Sequence, residues 1–470
     1  MRLLARRVGA SMFSKESILD QREYRLVMVV PSSMRILALS GPGTVQLPRL
    51  RIARATRVAA AITKSIQDQW GLNTIVLEVL WPTDITSACA VVEILSAGER
   101  RTPPDGFVMV RCDDLPEKEL NLGERSIVLT ILSGDSGSRG PFSRMGWLRE
   151  AMEWMRSAIS ATPEFTGFRQ INAGPGFALV RFSTRQDRAY WLKATGEPNR
   201  HEFDITLKLS QLCPEYLPTV VAARSDWNTW VMEDAGTSLE ESATLSSLEP
   251  AVRSLGGLHW KTVDRTQELR NSGLPHRSAE TLQENLPELM EYIQEAMSVQ
   301  RSIRSPQLDN LRLRQLGGIL EHACDRMQDL QVPDSVVHND LNRGNVLFDK
   351  DRCVLTDWCE ACIGNPFFNF ERLTLSLPSV YADRERDLIT LRTIYRRYWL
   401  DYLSPSQIDA AFLLAPLLAA ASYLYGRGDW LRSARRADPY VQSQARTVAR
   451  YIDRAANSLT TRGCYVTKDV

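Results

Sequence analysis

Hydrophobic and polar positions divide this chain into a strand-rich front and a helix-rich back. Tyr24–Val30 and Arg35–Leu39 are rich in Val, Met, Ile and Leu and are separated by Pro31-Ser32-Ser33, a pattern that predicts a hairpin. From Ala53 to Trp70 the apolar residues Val58, Ile62 and Ile66 recur every four positions, and Gly71 follows where a C-terminal cap belongs, so a helix is expected there. Thr74–Leu80, Ala88–Leu95 and Phe107–Cys112 read as strands. The Ser- and Gly-rich stretch Ser133–Phe142 reads as a linker. Beyond it Met145, Leu148, Met152 and Met155 form an apolar stripe at helical spacing, as expected of a helix that packs one domain on the next. From about Gly167 short strands surround a single helix. A long helical region follows, with candidate helices at Glu280–Met297 and Leu311–Leu330. The expected organisation is a flexible tail (1–20), an α/β domain (21–132), a linker and connecting helix (133–164), a β-rich small lobe (165–236) and a helical large lobe (237–470).

Composition narrows the class. Hydrophobic residues make up 44% and charged residues 24% of 470, as in a soluble globular protein. A net charge of +1 gives no electrostatic argument for nucleic acid or an anionic membrane, and neither is expected as a partner. Eight cysteines scattered through a long chain argue against a disulfide scaffold and for a reducing, cytoplasmic setting. Cys359 and Cys362 form a lone C-x-x-C; structural zinc needs four ligands, so they read as ordinary thiols. The apolar run Ala410–Leu424 contains Pro416 and Ser422, is too short to span a bilayer and reads as a buried core helix. The basic start MRLLARRVGASMF reads as a disordered tail, or as sequence preceding a start at Met12, rather than a targeting peptide.

The chemistry concentrates between Val337 and Pro366, VHNDLNRGNVLFDKDRCVLTDWCEACIGNP. His338, Asp340, Asn345 and Asp357 fall on two short loops with a tight hairpin between them. One carboxylate there can orient a hydroxyl nucleophile, while an amide and a second carboxylate have the spacing that holds Mg²⁺ against nucleotide phosphates. His-x-Asp-x4-Asn, a hydrophobic strand pair and then Asp-Trp together resemble the catalytic and metal loops of the aminoglycoside phosphotransferase and choline kinase-like family. The resemblance covers about residues 165–460. It implies an α+β, bilobal protein kinase-like fold with a β-rich small lobe and a helical large lobe.

The family likeness also assigns roles. Asp340 would orient the acceptor hydroxyl, Asn345 and Asp357 would hold Mg²⁺, and His338 would brace the loop. Gly174 and Gly176, in a hairpin before the strand FALVRF, would bring backbone to the phosphates, although Gly-Pro-Gly is most often only a turn. Lys193 would pair with phosphate oxygens and Glu202 would hold it as an ion pair. Met232, Glu233 and Asp234 resemble the hinge whose backbone contacts the base. His259 reads as a structural histidine. Trp358 stands where protein kinases have phenylalanine, which favours the small-molecule branch. Asn365 stands where the family often has Asp, and Asn caps helices equally well.

Residues 21–132 carry a fainter likeness. Lys64, Ile66, Gly71 and Leu72 fit the Nudix hydrolase box, but Leu50, Thr56, Ser65 and Gln69 replace its glycine and three glutamates. Asp68 is the sole carboxylate left, a poor start for a Mg²⁺ site. A degenerate Nudix-like domain and an unrelated α/β domain both fit. The expected function is transfer of the γ-phosphoryl group of ATP or GTP to a hydroxyl of a small molecule. The competing readings are a regulatory module that binds nucleotide and a kinase acting on protein.

Overall fold

The computed structural model describes residues 21–41, 44–53, 57–81, 87–95, 104–134, 139–160, 162–239, 245–303, 305–349, 352–375 and 384–461. The expected tail at 1–20, and with it the question of Met12, lies outside them. The chain divides into two compact units, Met1–Phe203 with Thr219–Asp234, and Asp204–Pro218 with Ala235–Val470.

The first unit holds two sheets. β1 (Gln21–Val30), β2 (Arg35–Gly41), β3 (Thr44–Gln46), β4 (Arg49–Ala53), β5 (Thr74–Leu80), β6 (Ser87–Ile94) and β7 (Phe107–Val110) form a seven-stranded sheet in the order β3-β2-β1-β6-β5, with β4 beside β1 and β7 beside β2. β1 and β6 run parallel. Both are buried along most of their length, as central strands covered on both faces must be. The helix α1 (Val58–Trp70) buries Ala59, Ile62 and Ile66 and ends on Gly71, whose left-handed φ of 64° suits glycine. α2 (Leu122–Leu132) starts with a capping box between Asn121 and Glu124. α3 (Trp147–Ala158) buries Trp147, Leu148, Ala151 and Met155.

The second sheet contains β8 (Phe165–Gly174), β9 (Phe177–Thr184), β10 (Ala189–Ala194), β11 (Val220–Arg224) and β12 (Thr229–Glu233) in the order β11-β12-β10-β9-β8. α4 (Glu202–Leu212) follows β10. One hydrophobic cluster runs from Val27 and Ile75 through Trp147 to Phe182 and Val231, so both sheets share a core. Gln170 on β8 ties them further. Its Nε2 donates to the Val76 carbonyl and its Oε1 accepts the Val76 N–H, both at 2.8 Å. The end of the Ser/Gly-rich stretch is therefore docked: Phe142 is 1% exposed and packs edge-on to Trp147 and Trp227.

The second unit is mainly helical. It comprises β13 (Thr237–Ser238), α5 (Leu245–Thr262), α6 (Thr266–Asn271), β14 (His276–Arg277), α7 (Ala279–Glu284), α8 (Leu286–Ser298), α9 (Asn310–Asp329), β15 (Ser335–Val337), β16 (Val346–Asp349), β17 (Arg352–Leu355), β18 (Cys362–Gly364), α10 (Pro366–Thr374), α11 (Arg384–Arg396), α12 (Pro405–Arg427), α13 (Ser433–Arg436) and α14 (Pro439–Thr461). The single helix expected over Glu280–Met297 is broken at Asn285. Pro287 sits in the first turn of α8, where its missing N–H costs nothing, so the apolar period runs on through a chain break in helix geometry. The apolar run near the C-terminus is longer than expected. α12 has 23 residues and passes the length and composition test for a membrane span, but 72% of its apolar window is buried inside the protein, as in a core helix.

Candidate active site

In the first unit, Lys193 on β10 lies beside Trp230 on β12, its Nζ 5.6 Å from the ring centroid. Nζ also meets Glu202 Oε1 at 2.5 Å, with the two side chains 14% and 1% exposed. A pair this buried is held by geometry rather than by a screened surface attraction. Glu202 is the first residue of α4, where the helix dipole favours a carboxylate.

Gly174 and Gly176 flank Pro175 at the tip of the β8–β9 hairpin. A Cβ on Gly176 would press on Gly196 Cα at 3.3 Å, and one on Gly140 would meet the Pro175 carbonyl oxygen at 2.3 Å. The Phe142 N–H donates to that same oxygen at 3.2 Å. The hairpin tip is thus pinned by the segment that precedes α3. At the expected hinge, Met232 is buried, the Glu233 N–H donates to the Thr219 carbonyl and the Asp234 N–H donates to the Ala189 carbonyl, each at 3.0 Å. Those two amide hydrogens are committed within the sheet. The Asp234 carboxylate takes Arg181 at 2.8 Å.

In the second unit, two loops are wired into one constellation. Asn345 Nδ2 donates to the Asp340 carbonyl at 2.9 Å, and the Thr356 N–H donates to the Asn345 carbonyl at 3.0 Å. His338 Nε2 lies 2.8 Å from the Thr356 carbonyl and its ring stacks 4.6 Å from Trp358, so it braces one loop on the other. Asn339 and Asp357 adopt left-handed φ of 56° and 72°, a conformation that asparagine and aspartate tolerate better than most residues. Because Nδ2 is used on the Asp340 carbonyl, the Asn345 amide oxygen is the end left for a cation. An amide oxygen and the Asp357 carboxylate are hard-oxygen donors of the kind that suits Mg²⁺, which usually takes one or two protein groups plus phosphate. The residues present therefore fit the metal that the family likeness implies.

His259 is fully buried. Its Nδ1 lies 2.6 Å from the Tyr395 hydroxyl and its Nε2 3.2 Å from Asn369 Oδ1, which also accepts the His338 N–H at 3.0 Å. Burial pushes its pKa down to about 3. It is a neutral buttress behind the loop that carries Asp340. Asn365 caps α10 by accepting the Phe367 N–H at 3.0 Å. Burial raises the Cys362 thiol to about 11, which disfavours the thiolate that a metal needs.

Sequence reasoning missed four side chains. Asn342 Nδ2 donates to Asp340 Oδ2 at 3.2 Å while its Oδ1 caps the next turn through the Gly344 N–H, so it aims the carboxylate. Only its Asx-turn position before Arg343-Gly344-Asn345 hinted at this. Glu360 has its carboxyl pushed up to about 7, first by burial and then by Asp340 and Asp357, with Arg427 and Arg277 opposing. Arg277 enters from β14, which pairs with β18. Arg427 ends α12 and is held by Asp429 at 2.7 Å. No sequence spacing links these residues to Asp340.

Residues 233–404 match the model of a phosphotransferase enzyme family. This part of the chain is similar to that family, and the fold is of the mixed α+β kind. Among solved structures, the chain is similar to a choline kinase from Cryptosporidium parvum Iowa II at 13% identity, covering 67% of this chain and 97% of that one with a TM-score of 0.46. It is also similar to a choline/ethanolamine kinase family protein from Mesorhizobium loti at 16% identity, 67% and 96% coverage and a TM-score of 0.41. An ethanolamine kinase from Plasmodium vivax aligns at 13% identity, 64% and 83% coverage and a TM-score of 0.42. No curated protein sequence matches this one.

Proposed function

We propose that this protein transfers the γ-phosphoryl group of ATP or GTP to a hydroxyl of a small molecule. The observation that carries the proposal is the constellation of the second unit, in which Asp340, Asn345 and Asp357 sit on two loops tied through Asn345 and His338. The phosphotransferase match over 233–404 supports the same chemistry.

Phosphoryl transfer needs positioning and charge stabilisation more than covalent help. Asp340 would accept the hydrogen bond of the acceptor hydroxyl and draw its oxygen into line with the γ-phosphorus, taking the proton as the new P–O bond forms. Asn342 Nδ2 holds that carboxylate, and Asn345 Nδ2 holds the backbone carbonyl of the same residue. Lys193, kept extended by Glu202, would lie on the α/β-phosphate oxygens. Asn345 and Asp357 would hold Mg²⁺, which when bound neutralises phosphate charge.

For residues 21–132 we propose a non-catalytic role. Asp68, the last carboxylate of the Nudix-like box, is bonded to Lys64 at 2.6 Å on the exposed face of α1. The same helix turns its apolar face inward, which suits packing rather than metal binding.

The test is thermal unfolding with ATP or GTP, with and without Mg²⁺, followed by turnover. A nucleotide at about 100 times its dissociation constant should add roughly 2.7 kcal/mol. Asp340→Asn should lower turnover by roughly 10²–10⁴-fold while nucleotide stabilisation persists. Unchanged turnover in that variant would remove Asp340 from the mechanism, and no stabilisation of the wild type by either nucleotide would end the kinase reading.

A further inference from the structure

The net charge of +1 averages over a local excess on the second unit. Arg446, Arg450 and Arg454 recur every four residues along α14, a spacing that stacks like charges on one face of a helix and destabilises it. Among the described residues none of the three has an ion-pair partner, nor has Arg301 in the loop between α8 and α9. The acids around them are occupied. Asp453 pairs with Arg312 at 2.7 Å, Asp309 accepts the Arg312 N–H at 2.7 Å as the cap of α9, and Glu291 and Glu295 both face Arg436. Burial, and then the charges of Arg446 and Arg454, hold the Arg450 guanidinium below its ordinary value.

The loop is fastened to that row of arginines. Arg446 Nη1 donates to the Ala296 carbonyl at 2.8 Å and Arg450 Nε to the Pro306 carbonyl at 3.1 Å. Arg450 Nη2 also donates to Gln300 Oε1, while Gln300 Nε2 donates to the carbonyls of Ser302 and Ser305, each at 2.8 Å. Gln307 Nε2 closes the loop on the Met297 carbonyl at 2.9 Å. At the far end Arg312 donates to Asp453 at 2.7 Å and to Asn457 at 2.6 Å, which brings the first turn of α9 against the turn that carries Arg454. This tightly held segment turns its aliphatic side chains outward. Ile303 is 98% exposed, Val299 50% and Leu311, in the first turn of α9, 59%. A single exposed aliphatic residue needs no explanation, but three on one fastened segment beside four unpaired arginines form an apolar patch with a cationic rim.

We infer that this face docks on an anionic membrane surface, with Ile303 and Val299 entering the boundary between headgroups and acyl chains and Arg301, Arg446, Arg450 and Arg454 lying over anionic headgroups. The inference goes beyond phosphoryl transfer and does not depend on it. The aliphatic tip decides between occupants. A nucleic acid or another soluble polyanion would use the arginines but gain nothing from Ile303, because bases stack on aromatic rings. A partner protein would need a pocket shaped for a protruding side chain, whereas a bilayer receives one without a preformed site. A short aliphatic tip with a few basic groups gives reversible binding that depends on lipid charge.

The experiment is co-sedimentation of the full-length protein with vesicles of phosphatidylcholine alone, and with vesicles of two parts phosphatidylcholine to one part phosphatidylserine. The expected result is binding to the anionic vesicles, weakening as salt is raised, and none to phosphatidylcholine alone. Arg301→Gln and Arg454→Gln should each lower vesicle affinity about fivefold, the worth of one basic residue near an anionic surface. Ile303→Ser should lower it about tenfold, and Ile303→Leu should leave it unchanged. All three positions are exposed, so these variants fold like the wild type. Absence of binding to the anionic vesicles overturns the inference, as does equal binding to both kinds of vesicle. Binding that falls in the arginine variants but not in Ile303→Ser overturns it too, and labelled heparin, bound without help from Ile303, would then mark the face as a site for soluble polyanions.

Discussion

The two units fix their candidate residues on different plans. In the first unit Lys193 and Glu202 neutralise each other at 2.5 Å, the hinge N–H groups are spent within the sheet, and the hairpin tip is pinned through the Pro175 carbonyl. In the second unit Asn342 Nδ2 donates to the Asp340 carboxylate and Asn345 Nδ2 to the Asp340 carbonyl, so two amides rather than a counter-charge fix that residue. Charge pairing fixes Lys193, whereas neutral amide hydrogen bonds fix Asp340.

The sharpest way to break this comparison is to separate activity from stability. Asp340→Asn should cost turnover by roughly 10²–10⁴-fold and leave the urea midpoint nearly unmoved, because its backbone bonds remain. Glu202→Gln should cost stability as well as activity. It strips a buried lysine of its counter-charge and should lower unfolding free energy by about 3 kcal/mol, read in urea. If Glu202→Gln proves as stable as the wild type, the first unit is not internally balanced as described.

A third prediction concerns His259 behind the loop that carries Asp340. Its folded pKa lies near 3, below the usual 6.5, so the unfolded chain binds its proton first as acid is added. Stability should therefore fall as pH drops below about 6.5 and go on falling toward 3. His259→Gln lacks that proton. Its stability deficit against the wild type should shrink by about 2 kcal/mol between pH 7 and pH 5, and a deficit constant with pH would refute the assignment. The smallest effect belongs to Asn342→Ala. Losing one hydrogen bond to Asp340 should cost about 1 kcal/mol of transition-state stabilisation, seen as a several-fold lower kcat with KM for nucleotide unchanged.

Much of this was legible in the sequence, for a physical reason. Asp340, Asn345 and Asp357 stand on a strand-turn-strand unit short enough for their spacing to fix their geometry. Lys193 and Glu202 fall at the end of a strand and the start of the next helix, so local pattern again sufficed. Arg277 was invisible because a two-residue strand carries no period, and it reaches Gly426 only through pairing of β14 with β18. Glu360 looked like one more charge beside a metal loop until burial gave it a carboxyl that titrates near 7. The Ser133–Phe142 stretch read as a spacer by composition, yet Phe142 and Gly140 are cemented to the core. Composition reports chain freedom, and one buried aromatic ring is enough to cancel it.

The Gln170 amide has a consequence for how these molecules meet one another. β5 ends the order of the seven-stranded sheet, and a bare strand edge is a template on which a second chain can lay down its own backbone. At Val76 that template is filled by a side chain that imitates a neighbouring peptide group, donating and accepting at 2.8 Å. Gln170→Ala would reopen it, and light scattering on storage should rise at concentrations where the wild type stays clear. A glutamine far from any chemistry thus guards the solution against edge-to-edge growth of the sheet.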